Sequence, residues 1–187
     1  MGSQKFLQHK TVIPNCIRIE GGFFEDQRGC FQKVFSPEIG DGLPEQMVVR
    51  EMFWSESTSG VIRGMHFQLP PAAVRKIVWV SSGSVSDVVL DLRRGSPTYG
   101  KAITFELNCS SGAVYIPIGC AHGFEVLSQS AIVNYAQDRG FDPICDSGIK
   151  WNSFGYRWAA TKPIISARDQ ELTPLESFET PFVFQEI

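Results

Sequence analysis

Between residues 76 and 137 apolar and polar positions alternate with a period close to two, the mark of strands and not of helices. KIVWVSS (76–82) ends at Gly83, and SVSDVVLDLR (84–93) sets valine and leucine against small or polar neighbours. RGSPTYG (94–100) is a turn cluster, followed by KAITFELN (101–108) and a second turn at Ser110, Ser111 and Gly112. AVYIP (113–117), HGFEVLS (122–128) and SAIVNYAQ (130–137) complete the series. Six such runs, with no helical period between them, predict an all-β sandwich or barrel.

Upstream, TVIPNCIRIE (11–20) and GCFQKVFS (29–36) read as outlying strands, and GVIRGMHFQ (60–68) is strand-like. GDGLPEQ (40–46) reads as a loop or a short helical turn. After Tyr135 the strand signal thins. Pro143, Pro163, Pro174 and Pro181 interrupt a stretch that carries Trp151, Phe154, Tyr156 and Trp158, which predicts an irregular wrap packed on the barrel. No repeat, low-complexity tract or linker divides the chain, so residues 1–187 are expected to form one domain.

Composition narrows the class. The chain has 43% hydrophobic and 20% charged residues, with net charge −3 and pI near 5.6, ordinary for a soluble globular protein. With no basic run, nucleic acid is not expected as a partner. No apolar stretch reaches the ~18 residues a membrane span needs, and no leader precedes the fold, so a cytoplasmic protein is expected. Five scattered cysteines without a C-x-x-C pair read as free thiols.

The chain has three histidines. His9 lies in a polar segment and is expected on the surface. His66 and His122 sit where strand-like runs meet turns, and two imidazoles on facing strands of a small barrel raise the question of a metal. The metal-binding cupin pattern has two histidines one residue apart and then a glutamate. Here the slot reads His66-Phe67-Gln68, and no carboxylate follows until Asp87. Two imidazoles and an amide make a weak divalent site, so neither metal nor cofactor is expected. A metal-free pocket can still carry acid–base chemistry, which needs an orienting carboxylate, a proton donor and a cation for an oxyanion. Asp169, Tyr135 and Lys76 are candidates for these roles; a surface turn, a core tyrosine and a solvated strand end are the plainer readings of each.

IRGMHFQ, KIVWVSSGSVSDVVLDLRRGSPTYG, IPIGCAHGFEVLS and DSGIKW together resemble the dTDP-4-dehydrorhamnose 3,5-epimerase family, from about residue 11 to about 175 of this chain. The resemblance implies a jelly-roll (cupin) barrel that epimerises nucleotide-linked 4-keto-6-deoxy sugars as a homodimer. It implies His66 as base, Asp169 as its partner, Lys76 near the enolate oxygen and Tyr135 as acid. It further implies His122 as a pocket residue, with Arg63 and Arg28 on the diphosphate, Arg28 reaching across the dimer.

Departures from the family bear on the substrate. Arg28 is followed by Gly-Cys-Phe-Gln-Lys33, where the family has a glutamate at the last position, and Glu51-Met-Phe53 replaces its glutamine-x-asparagine. Lys33 and Glu51 would suit a cytosine edge if both face the base, with Phe31 and Phe53 as stacking platforms and Gln68 lining the pocket. A CDP-linked 4-keto-3,6-dideoxyhexose, inverted at carbon 5 alone, is one expectation; the dTDP-linked 3,5-epimerase substrate is a second, and a GDP- or other nucleotide-linked sugar a third. The stretch after Tyr135 lacks the family's lysine and two tyrosines, which bears on whether carbon 3 is also inverted. A 3,4-ketoisomerase, a non-catalytic sugar-nucleotide sensor and a metal-dependent cupin are the competing readings.

Overall fold

Valine-rich strands bury both of their faces here, and that fixes a layered architecture. The computed structural model describes residues 6–36 and 42–186. Among them, six strands form one sheet in the order β1 (Leu7–Lys10), β2 (Ile17–Glu20), β10 (Ala113–Ile116), β7 (Lys76–Ser82), β12 (Ser130–Gln137) and β5 (Glu51–Thr58). A second sheet runs β13 (Asp146–Gly148), β6 (Ile62–Gln68), β11 (Cys120–Val126), β8 (Ser84–Asp91) and β9 (Ala102–Asn108). A hairpin of β3 (Phe23–Asp26) and β4 (Gly29–Gln32) stands apart from both. The strand pairs are antiparallel throughout.

Period-two alternation sends successive side chains to opposite faces. Val78, Val80, Val133 and Tyr135 of the first sheet meet Val85, Val89, Phe124 and Val126 of the second in the core between them. Their alternate neighbours Ile77, Ala113, Tyr115 and Ala136 face outward and are covered by Leu43 and Met47. On the other side Met65, Phe67, Val88 and Leu90 lie under Phe154, Tyr156, Trp158, Phe178 and Phe182 of the C-terminal wrap. Glu125, buried, accepts the Ala159 and Ala160 N–H groups and anchors that wrap.

The all-β jelly-roll expectation holds, and the strands expected over 76–82 and 130–137 have those bounds. Two expected strands are cut to half their expected length or less. Residues 11–16 turn back on themselves through Thr11, Ile13 and Cys16, leaving only Ile17–Glu20 to pair. Likewise 29–36 pairs only through Gln32, because past it no partner strand remains in the two-stranded sheet. The polar segment holding His9 is itself β1, with His9 Nε2 3.2 Å from Glu20. Of the loop expected at 40–46, Gly40 and Asp41 lie outside the described residues, and 42–45 form turns and bends. The five cysteines are free. Among the described residues no helix is long and apolar enough to cross a membrane.

Candidate active site

A cavity of about 370 Å³ opens between the two sheets, and the inward positions of β5, β6, β7, β11 and β12 line it. The same alternation that packs the core sets polar groups at its open end. On β7, β12 and β5, Lys76, Gln137 and Glu51 are cross-strand neighbours, and Val78, Tyr135 and Phe53 form the next row. From the opposite sheet come His66 and His122, directly paired across β6 and β11.

That pairing depends on glycine. A Cβ on Gly64 would stand 2.5 Å from the Cα of Gly123, and φ at Gly64 is +133°. Only Gly tolerates that backbone and that approach. The two strands therefore touch at Gly64 and Gly123, and the histidines one and two residues away are drawn side by side.

Each imidazole gives its Nε2 to a separate carboxylate. His66 Nε2 is 2.7 Å from Asp169 Oδ1, and Asp169 Oδ2 accepts the Gly64 N–H at 3.1 Å. Asp169 sits on a helical turn, Ala167–Gln170, capped by the Ser166 hydroxyl, and is buried. Burial lowers the His66 imidazole pKa below its ordinary value despite Asp169. Burial pushes Asp169 upward, but the His66 bond and the Gly64 N–H outweigh it and hold the carboxyl below its usual range. A neutral imidazole thus faces an ionised carboxylate. With Nε2–H donated to Asp169, Nδ1 carries the ring's remaining lone pair.

His122 Nε2 is 2.6 Å from Asp87 Oδ2, both groups buried, and the other Asp87 oxygen is buried without a partner among the described residues. Asp87 was not foreseen as a site residue. The signal was there: it is the single carboxylate among the valines of SVSDVVL, on the inward face.

Opposite the histidines, Tyr135 stacks on Phe53 at 4.6 Å and meets His122 edge-on at 5.9 Å. Burial raises its phenol well above the ordinary value, and Ser55 offsets only part. Lys76 is lowered to about 8 by burial, against Asp146 and with Arg168. Asp146 and Arg168, joined at 2.6 Å, also line the cavity, as does Phe141. None of these three was singled out in the sequence, since each lies in the irregular C-terminal region where periodicity gives no orientation.

Arg63 stands at the cavity rim, its Nε on Ser57 Oγ at 2.8 Å. Gln68 lines the cavity, yet its amide is taken by backbone: Nε2 by the Ala72 and Gly140 carbonyls, Oε1 by the Asp142 N–H. It works as a clamp on the following loop. Glu51 Oε2 similarly accepts from Gln137 Nε2 and the Phe141 N–H.

Three expected residues do not join this cavity within the chain. Arg28 and Phe31 lie on the β3–β4 hairpin, where Arg28 pairs with Asp26 and both line a separate hollow. Lys33 follows β4, its N–H on the Gly22 carbonyl, and is not among the residues lining the Glu51 cavity. The shared cytosine edge expected for Lys33 and Glu51 is therefore not assembled by one chain. Among the described residues no group of three or more His, Cys, Asp or Glu side chains is arranged to hold a metal ion.

The family model for dTDP-4-dehydrorhamnose 3,5-epimerase matches residues 10–177. The chain is 36% identical to the dTDP-4-dehydrorhamnose 3,5-epimerase of Shigella flexneri, over 86% of this chain and 91% of that protein. It is 37% identical to that of Methanothermobacter thermautotrophicus, over 89% and 92%. It superimposes with a TM-score of 0.91 on the crystal structure of the dTDP-6-deoxy-D-glucose-3,5-epimerase of Legionella pneumophila in complex with dTDP-4-keto-L-rhamnose, at 28% identity, covering 97% of this chain and 100% of that one. Fold, site geometry and sequence agree: the chain belongs to the dTDP-4-dehydrorhamnose 3,5-epimerase family.

Proposed function

We propose that the chain epimerises a dTDP-linked 4-keto-6-deoxyhexose at carbons 3 and 5. The observation that carries this reading is His66 on one sheet, paired with Asp169, facing Tyr135 and Lys76 on the other. A C–H bond beside a ketone is acidic because its electron pair can move into the carbonyl as an enolate. Inversion then needs a base on one face of the sugar and an acid on the other. His66 Nδ1 takes the proton while the C–H pair passes to the ketone oxygen. Asp169 fixes the tautomer and stabilises the imidazolium. The Lys76 ammonium faces the enolate oxygen. Tyr135, kept protonated by its raised pKa, returns a proton to carbon from the other side, and solvent restores both groups.

Arg63 at the rim suits the diphosphate, which a guanidinium binds in bidentate fashion. His122, held by Asp87, packs beneath Tyr135. We further propose a single domain acting as a homodimer. Phe24 and Phe31 on the hairpin, and Met52 and Trp54 on the edge strand β5, are large exposed apolar groups. Such groups suit burial against a second copy, which would also bring Arg28, Phe31 and Lys33 toward a neighbouring cavity.

Incubation with dTDP-4-keto-6-deoxyglucose in deuterated water tests the reading. Deuterium at carbons 3 and 5 with inversion of both is expected. A chain that leaves both carbons protonated with this substrate does not perform the reaction. The CDP-linked 4-keto-3,6-dideoxy sugar, run in parallel, separates the two nucleotide readings.

A further inference from the structure

The β7–β12 ladder ends at the pair Lys76 and Gln137, and the next two residues extend it with side chains. The Arg75 N–H donates to Asp138 Oδ1 at 2.8 Å, Arg75 Nη1 donates to Oδ2 at 2.6 Å, and the Asp138 N–H returns to the Arg75 carbonyl at 3.3 Å. The other arm of the same guanidinium, Nη2, pairs with Glu45. Glu45 belongs to the segment whose Leu43 and Met47 cover the outer face of this sheet. The Arg75 and Asp138 side chains are 21% and 10% exposed and Glu45 33%, so water screens the Arg75–Asp138 pair less than the Glu45 arm.

One guanidinium thus ties together three pieces of chain: the start of β7 that carries Lys76, the loop leaving β12, and the outer covering segment. The loop is held further along as well. Glu51 takes the Phe141 N–H at 2.9 Å, Gln68 takes the Asp142 N–H at 2.6 Å, and the Leu69 N–H reaches the Cys145 carbonyl at 2.7 Å. Residues 138–145 are therefore pinned along their length, with Phe141 among them lining the cavity, and Arg75 with Asp138 is the pin nearest Lys76.

We propose that Arg75 and Asp138, braced by Glu45, are positioning residues that hold Lys76 at the cavity end where the ketone oxygen develops charge. The planar fork of an arginine gives one arm to each carboxylate in a fixed geometry, whereas a lysine ammonium is a single point charge without that fork. The charged and titratable groups sharing that end with Lys76 are Asp146 on β13, Arg168 on the helical turn, His66 on β6 and Glu51 on β5. Loosening the pin admits water to the ammonium and lets it move from the oxyanion. The role of Lys76 rests on the epimerase reading above; its placement does not.

The experiment compares wild type, Arg75→Lys, Asp138→Asn and the double variant in the purified full chain. Arg75→Lys keeps the charge and loses the fork. Its kcat is expected to fall roughly ten-fold, as for a catalytic group displaced by a fraction of an ångström, with KM changed by less than about two-fold. The double variant is expected to be no slower than the single ones, because the two residues act as a unit. Independently of turnover, the pH midpoint for acylation of Lys76, read by mass spectrometry, is expected to rise in Arg75→Lys above that of wild type, where burial holds the amine below its ordinary value. A wild-type kcat together with an unmoved midpoint would overturn the proposal, as would additive losses in the double variant. Should Arg75→Lys not fold, Asp138→Asn decides by the same split: a fall in kcat at constant KM supports the proposal, and a rise in KM alone overturns it. Absence of deuterium exchange in the wild type would count against the epimerase reading and leave the acylation midpoint to judge this one.

Discussion

His66 and His122 stand directly opposite each other on adjacent antiparallel strands, and each commits its Nε2 to a different buried carboxylate, Asp169 and Asp87. The two imidazoles do not converge on one point: each already has an acidic partner of its own. The arrangement leaves a neutral base at His66, facing the cavity beside a second His–Asp pair that supports its wall.

Replacing His66 by Asn removes the base and keeps the side chain polar. Deuterium wash-in at the epimerised carbons is expected to fall by ~10²–10⁴. Asp169→Asn should fall in the same direction, because a carboxamide oxygen can still accept from Nε2–H but carries no charge to stabilise the imidazolium. Exchange rates by proton NMR, with circular dichroism to confirm the fold, check both; full exchange in His66→Asn would remove it from the role.

Tyr135→Phe separates removal of the proton from its return. The base and Lys76 remain, so proton loss to solvent should persist, while inverted product should drop by ~10²-fold or more. The comparison of deuterium content with product stereochemistry reads this directly. Equal losses in both would place Tyr135 on the binding side of the reaction.

The pH profile follows from two lowered groups. His66 acts when neutral, so activity rises with pH through its pKa, which burial puts below the ordinary histidine value. Lys76 acts when protonated, so activity falls as pH passes about 8. Lys76→Arg keeps the cation at all accessible pH, and its alkaline limb is expected to move upward even if its rate is lower. An alkaline limb that stays in place would assign it to another group.

Acid stability has its own sign. Asp91 is buried, and burial raises its pKa, but Arg93 and Ser96 outweigh this and lower it; Arg93 Nε and Nη2, Ser96 and Thr98 all donate to it. Its folded value lies below its unfolded one. The stabilisation is therefore full above the unfolded carboxyl value of ~3.9 and is lost as pH falls through the folded value. Asp91→Ala strands Arg93 in the core and should cost about 3–5 kcal/mol by urea unfolding at neutral pH.

Gly64→Ala tests the strand contact that sets the histidines together. The new Cβ would lie 2.5 Å from Gly123 Cα at φ +133°, so β6 and β11 must part. A loss of several kcal/mol of stability is expected, along with deuterium exchange. Retention of both would mean the strands separate freely.

How much of this could be read from residues alone differs by region. The β-runs from 76 to 137 announced their strands because their valines and leucines must bury both faces, and period two then fixes which side chains share a face. Lys76, Tyr135 and His122 could be singled out within those runs and His66 in the strand-like run before them; Asp169 was a candidate carboxylate to which the family resemblance then gave a role. What one-dimensional pattern could not supply was pairing. That His66 meets Asp169 from 103 residues away, that Asp87 belongs to His122, and that Gln68 clamps a loop are consequences of sheet order and register. The hairpin with Arg28, Phe31 and Lys33 shows the same limit, since sequence neighbours of the site motifs came to lie outside the cavity. Strand identity was local, because alternation acts between adjacent residues. The chemistry of the site was decided only in the tertiary structure, because the desolvation and partners that set a proton's position come from chain segments far apart in sequence.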